Sequence, residues 1–135
     1  MNAPFVNVGL HQALQYLGVT ELNNATLMLF TNPITPTPTT VLGDLAELVG
    51  TGYVRPVLTG WGAPVLGGDG YYTTSLPVQN FTNSGGTNWP AAYGWAYVNF
   101  DGITLISVGL FTSPIVNPPS GILPLTPIFG LGSEY

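Results

Sequence analysis

The side chains able to do chemistry in this chain are few and scattered. His11 is the single histidine, Arg55 is the single cation, and Lys and Cys are absent. One imidazole cannot build an ordinary metal site, and without Cys the remaining ligands would have to be carboxylates. His11 therefore reads as the polar side of an amphipathic helix. The six acids are Glu21, Asp44, Glu47, Asp69, Asp101 and Glu134. Asp44 and Glu47 lie three apart, a spacing that puts two carboxylates on one helix face. Acid–base work by such a pair needs pKa values pushed apart by the surroundings. Nothing in the flanking residues indicates burial or a substrate groove, so the pair reads as a capping acid beside an exposed one. Asp69 and Asp101 each precede Gly, where Asp serves turn geometry. Gly67-Gly68-Asp69-Gly70 is followed by neither Lys nor a helix, which excludes a phosphate-binding loop. The expectation is a protein that is not an enzyme, with no catalytic residue, no metal and no cofactor.

The charge content sets the wider frame. Charged residues are 5 % of the 135 and the net charge is −5, against about 25 % charged in ordinary domains. An isolated domain relies on surface charge to stay apart from its neighbours. A chain this poor in charge is expected to have much of its surface covered by partners. A lone cation gives no footprint for nucleic acid and disfavours anionic membranes. Apolar residues at 45 % and aromatics at 12 % are enough to fill one core. The start, Met1-Asn2-Ala3-Pro4, lacks the basic and apolar regions of a signal peptide, so synthesis in a cytoplasm without visible export is expected.

The elements that would position these residues are mostly strands. Asn7–Gly18 carries Leu10, Leu14 and Leu17 on one stripe, with Asn7 as N-cap and Gly18 as stop, and predicts a short N-terminal helix. Thr26–Thr31 is a short apolar run bounded by Asn pairs and Pro, a buried strand. Asn32–Thr40 holds three Pro and four Thr and cannot join a sheet interior. It reads as an extended arm or loop. One helical turn is expected within Val41–Val49. Tyr53–Thr59 contains Arg55-Pro56 and reads as an edge strand or a bulge. Leu66–Gly70 and Asn83–Asn88 are turn segments, and Pro77 divides Tyr71–Thr82. Ala91–Asn99 alternates, with Tyr93, Trp95 and Tyr97 on one side. Asp101-Gly102 predicts a hairpin joining it to Ile103–Phe111, because both turn residues tolerate positive φ. The fold class that follows is all-β: an antiparallel β-sandwich or jelly-roll-like domain with one short N-terminal helix, in one domain over 1–135.

Aromatics and apolar ends supply the candidate contact residues. Trp95 lies within the best strand and reads as core. Trp61 and Trp89 sit near strand ends beside Gly62 and Pro90, where they suit an interface or a ligand. The segment Pro114–Tyr135 has five prolines and a single charge, Glu134. It is either an arm laid on a partner or an edge strand of the domain itself, since edge strands tolerate Pro. Met1–Val8 is a second candidate arm. The residues assigned to an assembly interface are Phe5, Val6, Ile34, Trp61, Trp89, Ile115, Val116, Phe129 and Tyr135.

The order of these features resembles small structural proteins of tailed-phage virions. The resemblance runs over about residues 26 to 111. It is carried by Leu27-Met28-Leu29-Phe30-Thr31-Asn32, the Thr/Pro stretch Ile34–Thr40, the acidic turn Asp44–Leu48, Gly52-Tyr53-Val54-Arg55-Pro56-Val57-Leu58 and Tyr93-Gly94-Trp95-Ala96-Tyr97. It supplies no active-site residue, and the Pro-rich end departs from the pattern. It implies a virion structural protein resembling capsid decoration (cement) proteins of bacteriophage heads, made in the host cytoplasm and located in the virion. The implied partners are the major capsid protein or other virion proteins, in a homo-oligomer for which a trimer is expected by analogy. A lectin-like fibre or other surface binding module, and a self-assembling filament subunit joined by strand addition, are the alternatives.

Overall fold

The computed structural model describes Leu14 and residues 22–132, apart from the side chains of 131 and 132. The expected helix over Asn7–Gly18 lies outside the described residues except for Leu14, which is helical and fully buried. The rest is strand and turn, in antiparallel ladders throughout. Nine strands run in order among the described residues: β1 Ala25–Phe30, β2 Val57–Leu58, β3 Val65–Leu66, β4 Tyr71–Ser75, β5 Gln79–Thr82, β6 Ala92–Val98, β7 Leu105–Ile115, β8 Ile122–Leu125 and β9 Ile128–Gly132. They form ladders of order β2-β1-β6-β7, β3-β4-β9 and β5-β8.

The apolar run at 25–30 becomes β1, with β2 and β6 on its two sides. Such a strand is covered on both faces and must be apolar at successive positions. Leu27 and Leu29 point into one core with Leu58, Leu76 and Phe81. Met28 and Phe30 point into a second with Leu45, Ala96 and Val98. β2 is a two-residue edge strand just after Arg55-Pro56, as the proline requires.

The β6–β7 hairpin forms as expected, but its turn differs. Gly102 takes φ +77° while Asp101 does not adopt a positive φ. Asp101 instead caps the turn with its carboxylate, which accepts from the backbone N–H of Ile103 and Thr104 and from the Thr104 hydroxyl. The strict alternation expected for 91–99 also fails at one point. Ala92 faces Ile115 but Gly94 faces Leu110, so β7 bulges between them. A bulge moves side chains to the other face. Where the β6–β7 register breaks, β6 also changes face: Tyr93 packs beside Met28 and Phe30, while Trp95 and Tyr97 join the Leu27 core. A Cβ at Gly94 would strike Gly109 O and the Phe30 ring, and one at Gly109 would strike the Trp95 indole. The two glycines let the strands close under those rings.

Residues 71–82 and 122–132 make one long two-stranded ribbon interrupted by a bulge. Ser75 faces Ile128 and Gln79 faces Leu125, so Leu76–Val78 stand opposite only Thr126 and Pro127. The ribbon stays closed there because Leu76 N donates to Pro127 O at 3.0 Å. Pro127 is buried, and Pro124 sits in β8, whose outer edge needs no donor. The arm alternative for 114–135 is thereby corrected over its described part. These residues close the protein's own fold, because Leu123, Leu125 and Phe129 find cover against Leu76, Phe81 and Tyr97.

Of the two readings of 32–40, arm or loop, the structure takes the loop. Residues 32–46 form a closed loop stapled at its neck. Thr31 N donates to Ala46 O at 2.8 Å, Ala46 N to Asn32 Oδ1 at 2.8 Å, and Asn32 Nδ2 to Asp44 O at 2.9 Å. Its Ile34 and Leu42 cover the Met28–Phe30 face. The expected helical turn is the 3₁₀ turn Leu42–Asp44, with Asp44 Oδ2 reaching back to Val41 N. Glu47 lies beyond it in extended backbone opposite Phe30, so the two acids share no helix face.

A chain cut after residue 113 loses β8 and β9. Each large apolar side chain buried contributes about 1.5–3 kcal/mol, and a domain's whole stability is about 5–15 kcal/mol. Loss of Leu123, Leu125 and Phe129 together is expected to abolish cooperative folding. The 1–113 fragment should show no thermal transition by near-UV circular dichroism, whereas a sharp transition in it would show that the two strands are dispensable.

Candidate functional site

The one place where opposite charges meet among the described residues is the pair Glu47–Arg55. The carboxylate takes both donors of the guanidinium fork, Nε at 2.6 Å and Nη2 at 2.7 Å. Tyr53 OH donates to Glu47 Oε1 at 3.1 Å and accepts from Leu29 N at 3.0 Å. The local sequence arranges this. Gly52, at φ +87°, turns the chain so that Tyr53 and Arg55 come back alongside Glu47, and Leu48 N bonds Leu29 O to hold Glu47 at the end of β1. Hydrogen bonding from Arg55 holds the Glu47 carboxyl below its ordinary range against the opposing effect of partial burial. Burial raises the Tyr53 hydroxyl well above its usual value. Such a site holds a loop in place: the acid stays ionised and the phenol stays protonated, so neither is poised to exchange a proton near neutral pH.

The remaining described acids are turn builders. Asp69 accepts from Tyr71 N at 3.1 Å, Asp44 from Val41 N and Asp101 from the turn it caps. Hydrogen bonds from Thr104 and the adjoining backbone hold the Asp101 carboxyl below its usual range. Among the described residues no group of three or more His, Asp or Glu is placed to hold a metal ion. No helix there is long and apolar enough to cross a membrane. Two of the hollows among the described residues adjoin the candidate contact residues or the sheet edge. One of about 210 Å³ is lined by Leu27, Trp95, Tyr97, Leu125, Pro127 and Ile128, below the roughly 300–1,000 Å³ of small-molecule sites. The other, of about 370 Å³, lies between the loop tip Pro36–Thr40 and residues 105–108 of β7.

The residues assigned to an assembly interface do not form one patch. Phe5, Val6 and Tyr135 lie outside the described residues. Trp89 is a correction: it is 3 % exposed, and its Nε1 donates to Thr51 O at 3.1 Å. A Trp beside a proline reads as a loop residue, but Gly50 leaves room for this indole to enter the core. Trp61 is half-buried, donates to Leu22 O at 3.0 Å and stands edge-on to Tyr97. Phe129 is half-buried against the same ring. Ile34 lies on the opposite face of the four-stranded sheet, under the closed loop. Ile115 is half-buried opposite Ala92, and only Val116, at 49 %, is openly exposed. The apolar side chains most exposed are Val49, Ile103, Val54 and Phe100, at 81, 74, 72 and 69 %. The hairpin tip shows why the sequence hides this. Phe100 and Ile103 flank a turn held by Asp101, which leaves them no core to enter. No protein-family model, curated protein or solved structure matches the chain.

Glu47→Gln or Arg55→Gln removes charge-assisted hydrogen bonds worth about 1–3 kcal/mol together at a half-exposed site. Glu47 has a lowered folded-state pKa, so its contribution is complete above the ordinary carboxylate value and fades as pH falls through the lower folded value. Urea unfolding should therefore show Glu47→Gln less stable than wild type near pH 7, with the gap closing in acid, below the ordinary carboxylate range. An equal gap at both pH values would show that the pair does not set acid stability.

Proposed function

We propose that this chain is a non-enzymatic structural subunit of a virus-like particle, in the manner of a phage capsid decoration protein, and that it works by packing against other copies and other particle proteins. The observation that supports it is the state of the surface. The only cation is engaged by Glu47, while large apolar side chains stand exposed on loops and hairpin tips. Single exposed apolar residues are common on proteins. A surface that combines them with so little charge has few means of keeping neighbours apart and gains from being covered, at about 25 cal/mol per Å² of apolar area.

In this reading the ribbon β4–β5/β8–β9 and the four-stranded sheet act as the two layers of a sandwich. Their side chains share the core of Leu27, Leu76, Phe81 and Tyr97. The layers form a stiff plate, and its tips and edges make the contacts. The major capsid protein or another virion protein is the expected partner, with assembly as a homo-oligomer.

Co-sedimentation of the purified protein with capsid shells of the particle whose genes flank its own tests the proposal. Saturable binding, and shells that withstand heating by several degrees more when decorated, are expected. A chain that neither binds particle components nor self-associates would overturn it.

A further inference from the structure

The outer edge of β7 is the longest open strand edge among the described residues. β7 runs eleven residues, Leu105–Ile115, with β6 on one side and no described strand on the other. Proteins normally blunt such an edge with Lys, Pro or a bulge, because its free N–H and C=O groups template another strand. Here the regular stretch is Ser107–Leu110, which lies between a one-residue bulge at Ile106, opposite Tyr97–Val98, and a wider irregularity further along. Pro114 and the bulge opposite Ala92–Gly94 interrupt residues 111–114. Residues 105–110 have regular pairing with β6 from 107 to 110 and carry no charge. Beside them the loop tip Pro36–Thr40 forms the second wall of a groove of about 370 Å³. That tip is pinned by Thr40 N to Thr37 O at 3.0 Å and Thr37 N to Thr40 Oγ1 at 2.8 Å. The groove therefore offers a backbone edge that no described strand pairs with, and a preformed wall.

We infer that the 105–110 edge of β7 pairs antiparallel with the same edge of a second copy, joining two four-stranded sheets into one across a two-fold axis. This rests on the assembly role proposed above and names its contact surface. Charge selects the partner. Between Asp101 and Glu134 the chain has no charged residue, so two such edges meet without burying or opposing a charge. With the axis near Ser107 and Val108, the two hairpin tips that carry Asp101 lie roughly 30 Å apart, at about 3.3 Å per residue along the strand. That is several Debye lengths at physiological salt. A parallel pairing would set the two acids side by side. The contact is isologous and closes at two copies, which takes the place of the three-fold arrangement implied by the resemblance. Six residues a side, with the loop tips as flanks, give an area at the low end for stable dimers. A reversible dimer follows.

The chain has no cysteine, so single introduced thiols report contacts without background. In an antiparallel pair about a two-fold axis one residue faces itself, and its neighbours along the strand point to opposite faces. Leu105→Cys through Leu110→Cys, each oxidised at protein concentrations around the dimer midpoint, should give one strong disulfide-linked dimer, at Ser107→Cys or Val108→Cys. The adjoining positions should fall at least about tenfold lower. Ser107→Lys, checked for folding by circular dichroism, should weaken dimerisation in light scattering by about tenfold or more. Dimers that persist in folded Ser107→Lys, with no crosslink at any of the six positions, overturn the edge contact while leaving the assembly role standing. A monomer at all concentrations that still binds particles likewise overturns the edge contact alone. A monomer that binds no particle component overturns both.

Discussion

The hydroxyl of Tyr97 is the joint between the two hydrogen-bonded systems of this protein. It donates to Ile128 O at 2.9 Å and accepts from Ile128 N at 3.0 Å, so one side chain serves both backbone groups of a residue in the ribbon. Those groups lie next to the bulge at Thr126 and Pro127, where the ladder slips by a residue. Buried backbone groups left without partners would cost more than a hydrogen bond returns. Tyr97 supplies the pairing that the slipped ladder lacks. Its ring carries the apolar part of the same joint, meeting Trp61, Trp95 and Phe129 within about 5 to 6 Å. Burial holds the phenol above its usual range, which keeps the proton that the bond to Ile128 O needs.

The far end of the ribbon is tied by amides. Asn83 is fully buried, and its Nδ2 donates to Thr87 O at 2.8 Å and Asn117 O at 2.9 Å, while its Oδ1 accepts from Gly85 N. Asn117 in turn donates to Phe81 O at 3.2 Å. Three chain segments meet there without an ion. The single cation, for its part, is held within the fold by Glu47. Neutral amides and hydroxyls carry the buried polar connections because they can be satisfied by the backbone at a smaller desolvation cost than ions. The surface is left acidic, with apolar tips, and its longest described strand edge is uncharged.

Local chemistry made much of this legible in the sequence. The both-face apolar run at 25–30, the break at Pro77, the hairpin at Asp101-Gly102, the turn at 67–70 and the edge character of the Arg55-Pro56 strand follow from backbone rules that act within a few residues. The absence of Lys and Cys and the single Arg55 are facts of composition. The pairing of Glu47 with Arg55 was not legible, because the two meet only after a turn at Gly52 and a bridge to Phe30. The fate of the Pro-rich segments was equally hidden. Proline forbids an interior strand, but it does not say whether an edge strand lies on its own domain or on another.

From the sequence alone followed an all-β chain with hardly any charge, the places where it must turn, and a composition without Lys or Cys. Tertiary structure decided which face each aromatic took. Trp89 is buried because Gly50 leaves it room, and Tyr93 leaves the side of Trp95 where the β6–β7 register breaks. It also decided that residues 114–132 close the core and that 32–46 fold back onto the sheet. Both outcomes depend on pairings between segments tens of residues apart. Such pairings are set by how two ladders slip against each other, which no local pattern of residues encodes.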